Sequence, residues 1–238
     1  MKNALLSLFL IFLCLPNHVH SAEAYWLDQY NALLYLGTFR LDAELQQMKE
    51  KGSTTLLLHS DSLPILISRY IAWRAKVVGN MDSIAWIQRP SKNKLNRAAN
   101  LTGFKGVQID DHYFNKPSVS LTQLRVKLDQ KELWCSFQPR QFTHQLASKC
   151  DHADVQIYRK TCFETVDMAL RMEITGHLKI KVAAYDDGSV QGGELLKCIE
   201  KDLSTLRTGV FVFKWKNQEA WISKIKFVFR NSLLAIGF

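Results

Sequence analysis

The segment Gly106-Val107-Gln108-Ile109-Asp110-Asp111-His112-Tyr113 runs an apolar strand into two adjacent carboxylates and a histidine. Asp is a poor strand former and is costly to bury unless paired or hydrogen-bonded. Two of them at the C-terminal end of an internal strand point to a site where charge is used. Carboxylates that share a pocket divide acid–base labour. One is kept protonated by burial or by its neighbour's charge and donates a proton; the other stays ionised as nucleophile or base. Glycoside hydrolysis uses such a pair directly, with about 5 Å between the carboxyls for retention and about 6.5 to 9.5 Å for inversion. Asp110 and Asp111 are the leading candidates. Neighbouring side chains on a strand diverge, so a third carboxylate, from Asp186, Asp187 or Asp61, or a group on the substrate, has to complete the chemistry. Asp186 is the choice for that partner.

Other polar residues collect at the ends of the predicted strands. His59 and Asp61 end one, and Gln88 and Arg89 end the next. Gln138 precedes Pro139, and Gln156, Tyr158 and Arg159 follow in the next strand. Tyr185 comes just before Asp186, and Trp215 closes the last strand. With His112 and Tyr113 these are the residues expected to bind substrate. Alternation puts Gln108, Asp110 and His112 on one face, toward a barrel axis, and Asp111 at the rim. His59 reads more readily as a structural residue than as a catalytic one. Trp86 and Trp134 read as core, and Glu132 and Asp154 as ordinary loop residues.

Asp110, Asp111, His112 and His59 offer oxygen and nitrogen ligands for a divalent ion. Their spacing matches no ligand motif, so no metal is predicted. No Gly-x-Gly-x-x-Gly or phosphate-loop Gly-Lys-Ser occurs, and no cofactor is expected.

The elements that must position these side chains follow one rhythm: a short β-branched or aromatic strand, a polar loop, then an amphipathic helix. Candidate strands begin near Ala32, Thr54, Ile84, Gly106, Leu133, Val155, Ile180 and Gly209. Helical patterns cover Leu41 to Lys51, Ile65 to Val78, Leu95 to Leu101, Ser120 to Leu128, Phe142 to Ala147, Phe163 to Ile174, Glu194 to Leu206 and Ala220 to Leu234. Such an alternation indicates a parallel sheet covered by helices. Eight units close naturally into a single (β/α)8 TIM-type barrel with short loops, in which chemistry sits at the C-terminal ends of the strands. An open doubly wound sheet is the rival, weakened by the missing nucleotide motifs.

Residues 1–24 read as a cleaved secretory signal, and 25–238 as the barrel domain. Lys2 supplies the positive start, and Ala4 to Leu15 an apolar run too short for a comfortable permanent span. Val19-His20-Ser21 or Ala22-Glu23-Ala24 would suit the peptidase. No later stretch reads as a permanent membrane span, and the chain is expected to be exported, to the periplasm or beyond. Losing Cys14 with the signal leaves Cys135, Cys150, Cys162 and Cys198 in an oxidising compartment. Three pairings are open, Cys150 with Cys162 or Cys198 being the natural ones, and one bridge with two thiols is as good an account as two bridges. The net charge of +9 is scattered. It reads first as a solvated basic surface and second as an attraction for an anionic polymer. It carries no nucleic-acid recognition motif. A monomer is expected.

Phe104 to Phe114, FKGVQIDDHYF, resembles the fourth-strand motif of secreted glycoside hydrolases with (β/α)8 barrels. It is also similar to the glycosidase half of bacterial enzymes that cut partially deacetylated poly-N-acetylglucosamine. The resemblance implies an essential acid at Asp110 or Asp111, with His112 and Tyr113 lining the sugar site. The implied function is hydrolysis of an O-glycosidic bond in an envelope or extracellular polysaccharide, with polysaccharide or oligosaccharide as partner. The alternatives are a carbohydrate-binding or assembly protein on the same barrel and, third, a metal-dependent hydrolase or deacetylase. The chain departs from the pattern in having short loops and no strand ending in Glu.

Overall fold

A computed structural model describes residues 22–117, 119–157, 161–174, 181–186, 194, 197–198, 201 and 210–214. Its strands are β1 (Ala22–Leu27), β2 (Thr55–His59), β3 (Asp82–Ile87), β4 (Gly106–Ile109), β5 (Glu132–Phe137), β6 (His152–Gln156), β7 (Lys181–Asp186) and β8 (Val210–Lys214). All pair in parallel and in chain order, and the pairing runs on through β7 and β8 to β1. Between them lie α1 (Gln29–Gly37), α2 (Leu41–Glu50), α3 (Ile65–Gly79), α4 (Lys92–Ala99), α5 (Asp111–Asn115), α6 (Leu121–Leu128), α7 (His144–Ala147) and α8 (Cys162–Ile174). The alternation of parallel strands and helices from β1 to β6 makes this a TIM-like α/β fold. The helices expected over 194–206 and 220–234 lie largely outside the described residues, as does the proposed signal over 1–21.

Six of the eight predicted strands occupy their predicted places, and the sixth, expected from Val155, starts three residues earlier at His152. The larger departure is the first. The run beginning at Ala32 is helix α1, and the first strand is Ala22–Leu27, half of which the predicted signal had taken. A short apolar run does not distinguish strand from buried helix by period alone. Asp28 decides the matter locally: its side chain accepts from the backbone N–H groups of Tyr30 and Asn31 at 2.8 and 3.0 Å, capping α1. At α6, Ser120 and Gln123 form a reciprocal capping box.

Alternation along the strands divides the core in two. Outward residues such as Leu56, Leu58, Ala85, Val107, Ile109, Leu133 and Cys135 pack under the helices. Inward ones, Ala24, Trp26, Leu57, Ile84, Trp86 and Trp134, form a separate cluster within the sheet. A buried indole contributes roughly 4 to 6 kcal/mol gross at about 25 cal/mol per Å². Three of them fill the lumen, so it is a packed core under the site. Gly106 lets β4 lie close to β5, because a Cβ there would meet the Glu132 carbonyl oxygen at 2.6 Å.

The disulfides are Cys135–Cys150 and Cys162–Cys198. This corrects the pairing of Cys150 with Cys162 or Cys198. Cys135 faces the helix layer from β5, and the turn after α7 brings Cys150 back to it before β6 begins.

Candidate functional site

Strand β4 ends at Ile109, and the next residue starts a helix. Asp110 is the N-cap of α5, its Oδ1 accepting the Asp111 backbone N–H at 2.9 Å. This turn changes the predicted directions. His112 leaves the inward face and stands half-exposed, with Nδ1 3.0 Å from Asp111 Oδ1 and 4.0 Å from Asp110 Oδ2. Asp111, expected at the rim, is as buried as Asp110, each being 5% exposed. The two carboxylates and the imidazole offer donor atoms all within 4.8 Å of one another. Adjacent acids that would diverge on a strand converge because a helix begins between them.

Gln138, after β5, donates from Nε2 to Asp111 Oδ2. Gln141 donates to the Asp111 carbonyl at 3.1 Å and to Asn115 Oδ1 at 2.8 Å. Gln156, ending β6, donates to Asp110 Oδ1 at 2.7 Å and to Ser136 Oγ at 2.8 Å. Ser136 in turn donates to Asp154 Oδ2 at 2.6 Å. Asp154 Oδ1 accepts from Gln108 Nε2 at 2.9 Å, and Gln108 Oε1 accepts from Trp26 Nε1 at 2.7 Å. A continuous polar chain therefore crosses the lumen from β1 to the Asp110 carboxylate.

Burial, then the Asp111 charge, pushes the Asp110 carboxyl up to about 7. The hydrogen bonds from the Asp111 N–H and Gln156 oppose this. Burial also pushes Asp154 well above the ordinary carboxylate range, against the pull of Ser136 and Gln108. Asp110 can therefore hold a proton near neutrality and give it up to a leaving oxygen.

A second group forms at the end of β2. His59 Nε2 lies 2.5 Å from Asp61 Oδ1, and Lys94 Nζ lies 2.6 Å from Asp61 Oδ2. Burial raises the Asp61 carboxyl, but His59 and Lys94 outweigh it and hold it down at about 2. The His59 ring lies 4.6 Å from that of Trp86. Acids in the two groups thus have opposite proton affinities, which suits them to different tasks.

Of the predicted site residues, Asp110, Asp111, His112, Gln138 and Gln156 are brought together, and His59 pairs with Asp61. Gln88 is half-buried and Arg89 exposed. Tyr113 turns into the helix-side core, its hydroxyl donating to the Val119 carbonyl. Tyr158, Arg159 and Trp215 lie outside the described residues. Tyr185 and Asp186 are described as backbone. In the pairing of β7 with β8, Tyr185 stands opposite Phe213 and Asp186 opposite Lys214.

Trp26, Ser136, Gln141 and Asp154 were not anticipated. Asp154, read as a loop residue, is a fully enclosed inward residue of β6. Ser136 and Asp154 lie two positions before Gln138 and Gln156, so stricter use of the period-2 rule finds both. Trp26 lay too close to the predicted signal to be read as a strand residue.

The fold resembles that of the glycoside hydrolase family 17 beta-1,3-glucanosyltransferase from Rhizomucor miehei, with a TM-score of 0.52 and 10% identity, over 73% of this chain and 80% of that one. An active-site mutant of the Rhizomucor miehei beta-1,3-glucanosyltransferase in complex with laminaritriose matches with a TM-score of 0.52 and 12% identity, over the same shares. At these identities the likeness is one of fold. No family model matches the sequence, and no curated protein matches it.

Proposed function

We propose that this chain is an exported glycoside hydrolase-like enzyme that cleaves an O-glycosidic bond in an envelope or extracellular polysaccharide. The observation that carries the reading is the pair Asp110 and Asp111, buried together at the end of β4, with Asp110 poised to hold a proton near pH 7. Asp110 protonates the leaving oxygen. Asp111, held by Gln138 and facing His112, lies beside it, where a carboxylate would stabilise positive charge on the sugar. Asp186 remains our candidate for the carboxylate opposite. It is the last residue of β7. A closed eight-unit barrel, to which the pairing of β8 with both β7 and β1 lends support, would bring the two strand ends to one mouth.

The two Rhizomucor miehei neighbours act as beta-1,3-glucanosyltransferases, and one holds laminaritriose, so a glucan is one substrate to try. The motif's likeness to poly-N-acetylglucosamine-processing enzymes makes that polymer the other. Two disulfides suit an oxidising compartment, and among the described residues no helix is long and apolar enough to cross a membrane.

The donor set of Asp110, Asp111 and His112 also suits a divalent cation, which makes a metal-dependent hydrolase the second reading. One experiment separates the readings. The protein is incubated with a β-1,3-glucan and with partially deacetylated poly-N-acetylglucosamine, with and without a chelator, and new reducing ends are counted. Product formation that persists in chelator and disappears in Asp110→Asn supports the glycosidase. Loss in chelator with recovery on adding a divalent ion favours the metal enzyme. Binding without product in the parent protein favours a carbohydrate-binding module.

A further inference from the structure

Helix α3 is apolar on both sides. Ser68, Ile71, Ala72, Ala75 and Gly79 are buried against β2, β3 and α2. On the opposite side Leu66, Tyr70, Trp73 and Val77 follow one another at spacings of four, three and four, which is a single stripe. They are 77%, 47%, 54% and 59% exposed. A helix covering a sheet ordinarily presents polar residues there, and one that is apolar all round is ordinarily enclosed. Single exposed apolar residues need no explanation, but a contiguous row does.

The charges on α3 itself have one sign. Helix α3 contains no acidic residue; Arg69 and Lys76 flank the stripe on one side and Arg74 on the other. Helices α4 and α6 also contain no acid and carry Lys92, Lys94, Arg97, Arg125 and Lys127. The acids that meet these cations come from elsewhere: Asp42 on α2 with Arg74, Asp82 with Lys76, Asp61 with Lys94 and Asp151 with Arg125. Arg69, Lys92 and Lys127 are exposed and enter no ion pair among the described residues.

The occupant must cover an apolar row and accept a basic surround. A second copy of the chain would set like charges face to face, on a protein whose net charge is already +9. Tyr and Trp beside Arg and Lys, with aliphatic residues along the same line, match the interface of an anionic bilayer. We propose that the outer face of α3 docks the protein on an anionic lipid surface without spanning it. Leu66, Trp73 and Val77 enter the boundary of the acyl chains, Tyr70 sits at headgroup level, and Arg69 lies among the phosphates.

The test is co-sedimentation of the full chain with vesicles of phosphatidylcholine alone or mixed equally with phosphatidylglycerol. Variants are compared in one background so that the apolar run before Pro16 contributes equally to all. Binding is expected only with phosphatidylglycerol present, falling as salt is raised. Arg69→Glu is expected to weaken it about fivefold or more, at about 1 kcal/mol for each basic residue near the surface. The double substitution Leu66→Ser and Trp73→Ser is expected to weaken it about tenfold or more. These positions are exposed, so the variants should fold, and circular dichroism verifies it. Three results overturn the proposal: equal binding of the variants and the parent, no preference for the anionic lipid, or a Trp73-dependent dimer or glycan complex in its place.

Discussion

Gln156 and Asp110 are 46 residues apart in the chain and 2.7 Å apart at Nε2 and Oδ1. The contact joins the end of β6 to the end of β4 and bears on the one acid whose proton affinity lies near neutrality. A donor aimed at a carboxylate favours the charged form. Burial and the Asp111 charge favour the neutral one, and they prevail. Gln156→Leu removes the donor and should raise the Asp110 carboxyl further. A hydrogen bond to a charged group is worth about 1.5 to 3 kcal/mol, or about one to two pH units. If Asp110 is the acid, the alkaline limb of the pH–rate profile should move up by that amount while the acidic limb stays. An unmoved alkaline limb would detach it from Asp110.

Asp110 should also weaken the fold at neutral pH. Its folded value of about 7 lies above the unfolded value near 3.9, so the native state binds more protons between them. Stability therefore falls as pH rises from about 4 to about 7 and levels off above. A rise of about three units corresponds to ~4 kcal/mol as an upper bound. Asp110→Asn keeps the shape and removes the charge. It should raise the urea midpoint at pH 8 and change it little at pH 4, as activity disappears. A midpoint unchanged at pH 8 would mean that the carboxylate is well solvated.

The sequence made much of this site legible because period-2 alternation is strict within a strand. Gln108 and Asp110 faced inward on paper and do so in the fold, and Gln138 arrived where a strand end predicted it, while Gln156, expected early in its strand, ends it instead. What could not be read was the point where one regular period replaced another. The helix starting at Asp111 turned His112 outward, sent Tyr113 into the core and drew Asp111 inward. Five residues of helix leave too short a pattern to see. Ala32 to Leu36 failed for a related reason, since an unbroken apolar run fits a strand as well as a buried helix, and only the Asp28 cap separates the two. The partners of the four cysteines depend on how α7 returns to β6, which no local pattern encodes.

The floor of the site should be costly to interrupt. Gln108 serves Trp26 and Asp154 at once, and all three are buried. Gln108→Leu has similar bulk but leaves an indole N–H and a carboxyl without that partner, each costing about 1 to 3 kcal/mol. Chemical denaturation should show a loss of about 2 to 6 kcal/mol at an unchanged denaturant slope. Adding Asp154→Leu to that variant should recover part of it, because it removes one of the stranded groups. A sum of the two single losses would instead indicate independent sites.

The two disulfides close loops with sequence separations of 15 and 36 residues. In the chain-entropy account a bridge stabilises by restricting the unfolded chain, by about 3 kcal/mol for the shorter loop and about 4 for the longer. By that term alone, replacing Cys162 and Cys198 together with Ala costs slightly more than replacing Cys135 and Cys150. The positions predict a further contrast. Cys135 is wholly buried in β5, so its loss also opens a gap under the helices, whereas Cys198 is half-buried. Reductant should lower the unfolding midpoint of the parent and leave the four-alanine variant unaffected. A parent indifferent to reductant would show that its thiols are not joined in solution, and would remove the chemical support for an oxidising compartment.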